Sequence, residues 1–303
     1  MKFLHTKKKI YNELIDLGLK RGMYVNLKCS YNSLGNIEGG PMSLIDIILD
    51  IIKENGLLVT DSFVRMYKVG SRDIINNKVD QNTETYAGLI ANTAIKHKNC
   101  FRSHHPVQKF SLIGEEANNL AIEHNKNSYA YDILKIISEE KNSFNLKIGP
   151  DDKVIGVGTT HVATGILNIE KYEQKVGVYY EVSENKYELF RRNWIGICKN
   201  TLLKLNNFYN ENTNINKSRG KVGNTHALLT NMRETLDEEL KLFRLSKDNI
   251  SCGKKYCFEC YTVKNNYRKH TNFFIKNFIN FKIKNIAKFL YYDLSLQPTF
   301  KIK

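Results

Sequence analysis

Long apolar runs are what this 303-residue chain lacks. In its opening, MKFLHTKKKIYNELIDLGLK, lysines and acids interrupt every candidate stretch, so no signal-peptide core is expected. No segment reaches the apolar length that a membrane-spanning helix needs. Acids are scarce as well: 31 Asp and Glu stand against 46 Lys and Arg, a net charge of +15. That balance favours nucleic acid, an anionic membrane or phosphate-bearing small molecules, and suits a cationic ligand poorly. A chain so rich in Asn, Lys, Ile and Tyr also fits an AT-rich coding sequence, which would account for part of the excess. The six cysteines, Cys29, Cys100, Cys198, Cys252, Cys257 and Cys260, cluster only at the end. This is not a disulfide framework, and a reducing, cytoplasmic setting is expected.

What is present is ordinary for a globular enzyme: 42% hydrophobic and 25% charged residues, enough for one large domain or two small ones. The charge is uneven. Nine Lys or Arg and one acid, Asp293, fall between Lys264 and Lys303, so this tail carries +8 and the first 263 residues carry +7. No internal repeat is visible.

The pattern along the chain predicts an α/β fold with a mixed, partly parallel central sheet flanked by helices. IYNELIDLGLKRG reads as a helix, MYVNLKCSY as a strand, SLIDIILDIIKEN as a helix and LLVTDSF as a strand. That is a βαβ unit. A polar stretch from Arg65 to Thr83 suggests a lid or binding loop. ETYAGLIANTAIKH and KFSLIGEEANNLAIEH read as helices, DKVIGVG as a buried strand, and KVGVYYEV with YELFRRNWI as a strand pair. NNFYNENTNINKSRG reads as a flexible loop and HALLTNMRETLDEELKLFRL as a late amphipathic helix.

Three loops carry candidate chemistry. In NSLGNIEGGP, Gly35, Gly39 and Gly40 allow close backbone approach, and Pro41 suits a first helical position. A phosphate could sit there, although a turn that needs only glycines has the same composition. In FRSHHP, Arg102, Ser103, His104 and His105 make a candidate phosphate clamp; metal is disfavoured because no carboxylate or cysteine stands at ligand spacing. In VIGVGTTHVATG, a strand end delivers His161, a residue type suited to general-base work, to the carboxyl end of the sheet.

Taken in order, CSYNSLGNIEGGP, RSHHPVQKFSLIGEEA, GVGTTHVA and the later GKVGNTHALL resemble the aminoglycoside 3-N-acetyltransferase (antibiotic N-acetyltransferase) family over roughly residues 5 to 245. The resemblance implies an acyl-CoA-dependent N-acyltransferase domain, taken here as 1–263; the residues of 264–303 read by themselves as a basic, aromatic and helical extension. Acyl-CoA would be the co-substrate, with no redox cofactor. Ser30, Tyr31, Asn32, Ser33, Leu34, Gly35, Gly39 and Gly40, with Arg102, Ser103 and His105, would hold it. His161, with Thr160 beside it, would take the proton of the attacking amine, and backbone amides near Tyr31 and Asn32 would receive the oxyanion.

Departures from the family pattern shape the expected substrate. Thr164 stands where the family has Glu three residues after its histidine, Asn92 where it has an acid after the lid, and Lys109 where it has a serine after His-Pro. These three would line the acceptor. Two lost carboxylates and a net positive chain point away from a polycationic antibiotic. The expectation is therefore a nucleotide-linked amino sugar, in bacterial surface-polysaccharide synthesis. The alternatives are an aminoglycoside 3-N-acetyltransferase conferring antibiotic resistance and a transferase with Cys29 as covalent nucleophile. A nucleic-acid partner is not expected, because it leaves the three loops unexplained.

Cys252, Cys257 and Cys260 follow a C-x4-C-x2-C spacing, with His270 nine residues on. Reduced thiols are preferred here over a zinc site, so no metal ligand is assigned. In the tail, Phe274, Phe278, Phe281 and Phe289 fall near one side among lysines. Packing on the domain or on a second subunit is favoured over weak membrane-surface contact.

Overall fold

The computed structural model describes residues 4–169, 176–194, 196–254, 257 and 260. The extension 264–303 and His270 lie outside them.

A seven-stranded mixed sheet organises the chain. Its order from one edge is Lys217–Val222, Thr225–Asn231, Ser143–Ile148, Tyr24–Cys29, Leu57–Asp61, Phe110–Gly114 and Phe101–Arg102. The three central strands, Ser143–Ile148, Tyr24–Cys29 and Leu57–Asp61, run parallel to one another, and all other neighbours pair antiparallel. Alternation along Leu57–Asp61 explains the layering. Leu57 and Val59 face one core while Leu58 faces the other, so the apolar first half of the strand is buried on both sides.

On one face, the helix Lys7–Asp16 brings Ile10 and Leu14 against Leu44, Ile45, Ile48 and Ile52 of the helix Gly40–Ile52. Each fully buried aliphatic side chain there contributes on the order of 1.5–3 kcal/mol. On the other face lie the helices Asp132–Ser138, Thr159–Ile166, Lys199–Glu211 and Met232–Leu245. A smaller sheet, Tyr67–Lys68, Val176–Ser183 and Lys186–Arg191, contains the expected strand pair.

Several boundaries differ from expectation. DKVIGVG forms no strand; the parallel strand is the preceding Ser143–Ile148. KFSLIGEEANNLAIEH is not one helix, because Phe110–Gly114 pairs with Leu57–Asp61 before the helix Ala117–Glu123 begins. HALLTN is likewise the strand Thr225–Asn231, ahead of the helix that starts at Met232. The supposed flexible loop is the end of the helix Lys199–Glu211 and the start of an edge strand.

Candidate active site

Gly158 decides how closely the site approaches the sheet. A Cβ there would lie 2.1 Å from Leu134 Cδ1 and 3.3 Å from Asn26 Nδ2, so only glycine lets the chain touch the sheet at this point. Beneath it, Asn26 Nδ2 donates to Asn145 Oδ1 at 2.9 Å, linking two parallel strands by their side chains. The helix Thr159–Ile166 starts immediately, and its second and third residues are Thr160 and His161. His161 is therefore carried by a helix, not by a strand end as expected.

The His161 ring is half-buried and lies flat on Tyr131, with centroids 4.4 Å apart and planes 9° apart. The Tyr129 hydroxyl donates to the His161 carbonyl at 3.3 Å. Ring and backbone are thus fixed from one loop, the arrangement a general base needs to meet an incoming amine. Thr160 points the other way. Its hydroxyl donates to Glu239 Oε1 at 2.6 Å and lies 2.8 Å from the Tyr209 hydroxyl, which also donates to Glu239 at 2.6 Å. Thr160, Tyr209 and Glu239 are fully buried, and burial pushes the Glu239 carboxyl up to about 7. Thr160 therefore positions the helix; it has no face toward a substrate. Glu239 was missed, yet a signal exists: Leu236, Glu239, Leu240 and Phe243 fall at helical spacing on one buried stripe, and an acid there calls for a partner.

Thr164 is also fully buried, its hydroxyl turned back onto the carbonyls of Thr160 and His161, both at 3.1 Å. It caps backbone within its own helix, and the expected acceptor contact is not available to it. Asn92 is similarly occupied. Its amide group accepts from the Thr85 N–H at 3.1 Å and donates to the Thr85 and Gly88 carbonyls at 2.8 and 3.1 Å.

The first glycine loop does lie at the carboxyl end of the parallel strands. Ser30 follows Cys29, and its amide donates to the Ile148 carbonyl at 2.8 Å. Tyr31–Leu34 forms one helical turn, with Ser30 Oγ 2.8 Å from Ser33 Oγ, so the Tyr31 and Asn32 amides open that turn. Tyr31 and Leu34 are buried, and Gly35 packs against Asn224 and His5. Gly39 and Gly40 have φ of 79° and 78° and begin the helix Gly40–Ile52. A Cβ on Gly39 would meet Ser43 Oγ at 2.3 Å, whereas Gly40 opens onto free space. The left-handed backbone explains both glycines, and only Gly40 has open space beside it.

The middle loop is structural where a phosphate clamp was expected. Arg102 Nη2 donates to the Ser62 carbonyl at 2.7 Å, and Nη1 to the carbonyls of Gln81, at 2.9 Å, and Thr83. Its guanidinium fastens the 81–83 segment to the sheet edge. Ser103 accepts from the Phe110 N–H at 2.9 Å and lies 3.0 Å from His124 Nδ1. His105 is fully buried, accepts from the Val107 and Gln108 amides and stacks on His124 at 4.9 Å. Burial drives His105 well below the ordinary histidine value and His124 down to about 4, so both rings are neutral. Lys109 is buried beside Arg102, donates to Gln81 Oε1 and the Ser103 carbonyl, and is pushed down to about 7 by that burial.

A cleft of about 740 Å³ opens beside this lid. Asp80, Glu181 and Glu184 line it, against His104, Lys109 and Lys126. Lys126 is engaged by Glu188 at 3.0 Å and Asp80 faces the Arg102 and Lys109 cations, so the acidic side of the cleft is Glu181 and Glu184. Asn125, Lys126 and Asn127 line it as well, and their loop continues to Tyr129, which holds the His161 backbone. A second cavity of about 190 Å³ lies at the strand ends, bordered by Cys29, the Lys28–Asp61 ion pair and Val154.

Comparison with known proteins gives this geometry a family. A curated Bacillus subtilis (strain 168) protein, the SPbeta prophage-derived aminoglycoside N(3')-acetyltransferase-like protein YokD, is 38% identical over 60 residues, which are 20% of this chain and 22% of that relative. The crystal structure of YokD superposes with a TM-score of 0.68 at 22% identity, covering 80% of this chain and 94% of that one. Sisomicin-bound AAC-VIa gives 0.69 at 18% identity, over 80% of this chain and 99% of that one. AAC-IIIb, solved as a binary complex with CoASH, gives 0.69 at 14% identity, over 80% and 97%.

These matches overturn the expected nucleotide-linked amino sugar, since they lead to antibiotic-modifying enzymes. That expectation summed charge over the whole chain, including a +8 tail, whereas a ligand meets only the charges that line its cleft. The model of the family described as aminoglycoside 3-N-acetyltransferase matches residues 27–244, more than two thirds of the sequence, and the chain belongs to that family.

Proposed function

We propose that this protein transfers an acetyl group from acetyl-CoA to an amine of an aminoglycoside. The observation that carries the reading is the family match across 27–244, a span that includes His161 stacked on Tyr131. Glu181 and Glu184, the cleft carboxylates that do not face Arg102 and Lys109, support a cationic acceptor.

Acetyl-CoA supplies a thioester carbonyl as electrophile. The acceptor amine binds as an ammonium and must lose a proton before its lone pair can attack. His161 takes that proton, held in place by the Tyr131 ring and by the Tyr129 contact to its backbone. The new C–N bond forms as the C–S bond breaks, and the sulfur leaves as CoA thiolate, which takes up the N–H proton that the nitrogen sheds on becoming an amide. The open side of Gly40 and the Ser30–Leu34 turn, at the strand ends, are where the chain would admit the thioester arm.

The test is thiol release from acetyl-CoA with sisomicin or gentamicin as acceptor. One thiol per acetylated antibiotic is expected, with the product heavier by one acetyl group. Absence of release with any aminoglycoside, at acetyl-CoA concentrations that saturate binding, would overturn the reading.

A further inference from the structure

The proposed chemistry makes no use of four cysteines that the fold gathers from two distant segments. Cys198 precedes the helix Lys199–Glu211, while Cys252, Cys257 and Cys260 follow the short helical turn Lys247–Ile250. Their sulfurs all lie within 4.8 Å of one another. Cys198 Sγ is 3.5 Å from Cys257 Sγ, and Cys252 Sγ is 3.5 Å from Cys260 Sγ. Four thiolates at about 2.3 Å from a central zinc stand about 3.8 Å apart along the edges of the tetrahedron. The observed spacing is close to that cage.

We propose that Cys198, Cys252, Cys257 and Cys260 form a structural tetrathiolate zinc site. Cys198 replaces His270, which the sequence pattern had offered as fourth ligand. It lies 54 positions before Cys252, so linear spacing could not reveal it. The surroundings suit bound thiolates. The Cys252 amide donates to Cys260 Sγ at 3.2 Å, the Thr201 hydroxyl lies 3.5 Å from the same sulfur, and Asn200 Nδ2 donates to Cys198 Sγ at 3.9 Å. Donors to the sulfurs orient ligands and spread their charge. Cys198 and Cys260 are buried, and four protein ligands leave no open position for substrate, so the site is structural.

Its place in the fold says what it holds. The metal ties the start of the helix Lys199–Glu211 to the chain beyond the helix Met232–Leu245. The first helix carries Tyr209 and the second Glu239, which meet at 2.6 Å behind His161. Zinc would lock the two helices that anchor Thr160.

Metal content of the full-length protein, purified under reducing conditions without chelator, tests the proposal. One zinc per chain is expected. Titrating the wild-type thiols with a mercurial should release it in step with four sulfurs, and cobalt replacement should give thiolate charge-transfer and tetrahedral d–d bands. Cys198→Ser and Cys260→Ser should lose the zinc, while His270→Gln and Cys100→Ser keep it. Wild-type protein without zinc, or lighter by the four hydrogens of two disulfides, would overturn the site even if the serine variants failed to fold. Zinc retained in Cys198→Ser and lost in His270→Gln would overturn the ligand set. None of these readouts depends on which antibiotic is acetylated.

Discussion

The Thr160 hydroxyl donates to Glu239 Oε1 at 2.6 Å, joining the helix that carries His161 to a carboxyl with no exposure to water. Burial raises that carboxyl from 4.5 to about 7. Between those values the folded chain holds a proton that the unfolded chain has lost. Its stability is therefore fully present below about pH 4.5 and falls as pH rises to about 7. Glu239→Gln keeps the acceptor for Thr160 and Tyr209 without the charge. We expect it to stabilise the protein by up to about 3 kcal/mol at pH 8 and to change little at pH 4.5. Urea unfolding at the two pH values checks this; equal destabilisation at both would show that the carboxylate itself is required.

His161 and Tyr131 make a second prediction. His161→Ala should lower kcat by roughly 10²–10⁴-fold, the usual contribution of a positioned acid or base, while the KM for acetyl-CoA stays near its wild-type value. Tyr131→Leu removes the ring face but not the base, so a smaller loss is expected. Steady-state kinetics at several pH values would separate the two. A Tyr131→Leu effect as large as that of His161→Ala would mean that the stacking, not proton transfer, dominates.

The first βαβ unit was legible because its helix repeats at a period of 3.6 and its second strand opens on the short apolar run Leu57–Val59 directly after Gly56. The strand Ser143–Ile148 was not, because Asn145 and Lys147 sit at buried positions and break the pattern. Each has a remote partner, Asn26 for Asn145 and Asn206 for Lys147, and only Asp151 on Lys147 is close in sequence. Polar residues that find distant partners look like loop in one dimension. Arg102, chosen for its chemistry, likewise spends its guanidinium on distant carbonyls, those of Ser62, Gln81 and Thr83. His105 and Asn92 turn instead to backbone groups of their own loops. His161 stands out in the sequence because it follows an apolar run and matches the family motif, whereas Glu239 shows only as an acid on an apolar stripe whose partner lies 79 positions away.

Arg102 offers a direct contrast between two roles. A phosphate clamp would raise the KM for acetyl-CoA on mutation and leave stability intact. The structure has it donating to the carbonyls of Ser62, Gln81 and Thr83 instead. Arg102→Ala should strand three acceptors and loosen the lid, at a cost of roughly 2–4 kcal/mol. Faster proteolysis within 65–83 and a lower Tm are expected. Stability equal to wild type, with a KM for acetyl-CoA raised at least tenfold, would restore the clamp.

Cys29 ends the central strand beside the 190 Å³ cavity, which makes it the candidate for a covalent route. Burial, however, pushes its thiol up to about 12. A nucleophilic cysteine needs thiolate near neutral pH, which comes from a cationic partner, a helix start or a metal. Lys28, its neighbour, is committed to Asp61 at 3.3 Å, and desolvation is the cause that acts on the thiol. Direct attack by the amine on the thioester needs no such intermediate. Cys29→Ser should therefore keep acetyl transfer within a few-fold of wild type, and intact-mass measurement after mixing with acetyl-CoA alone should show no acetylated protein. An acetyl-enzyme that forms in wild type, vanishes in Cys29→Ser and is consumed when aminoglycoside is added would establish the two-step route and move His161 to activating the thiol.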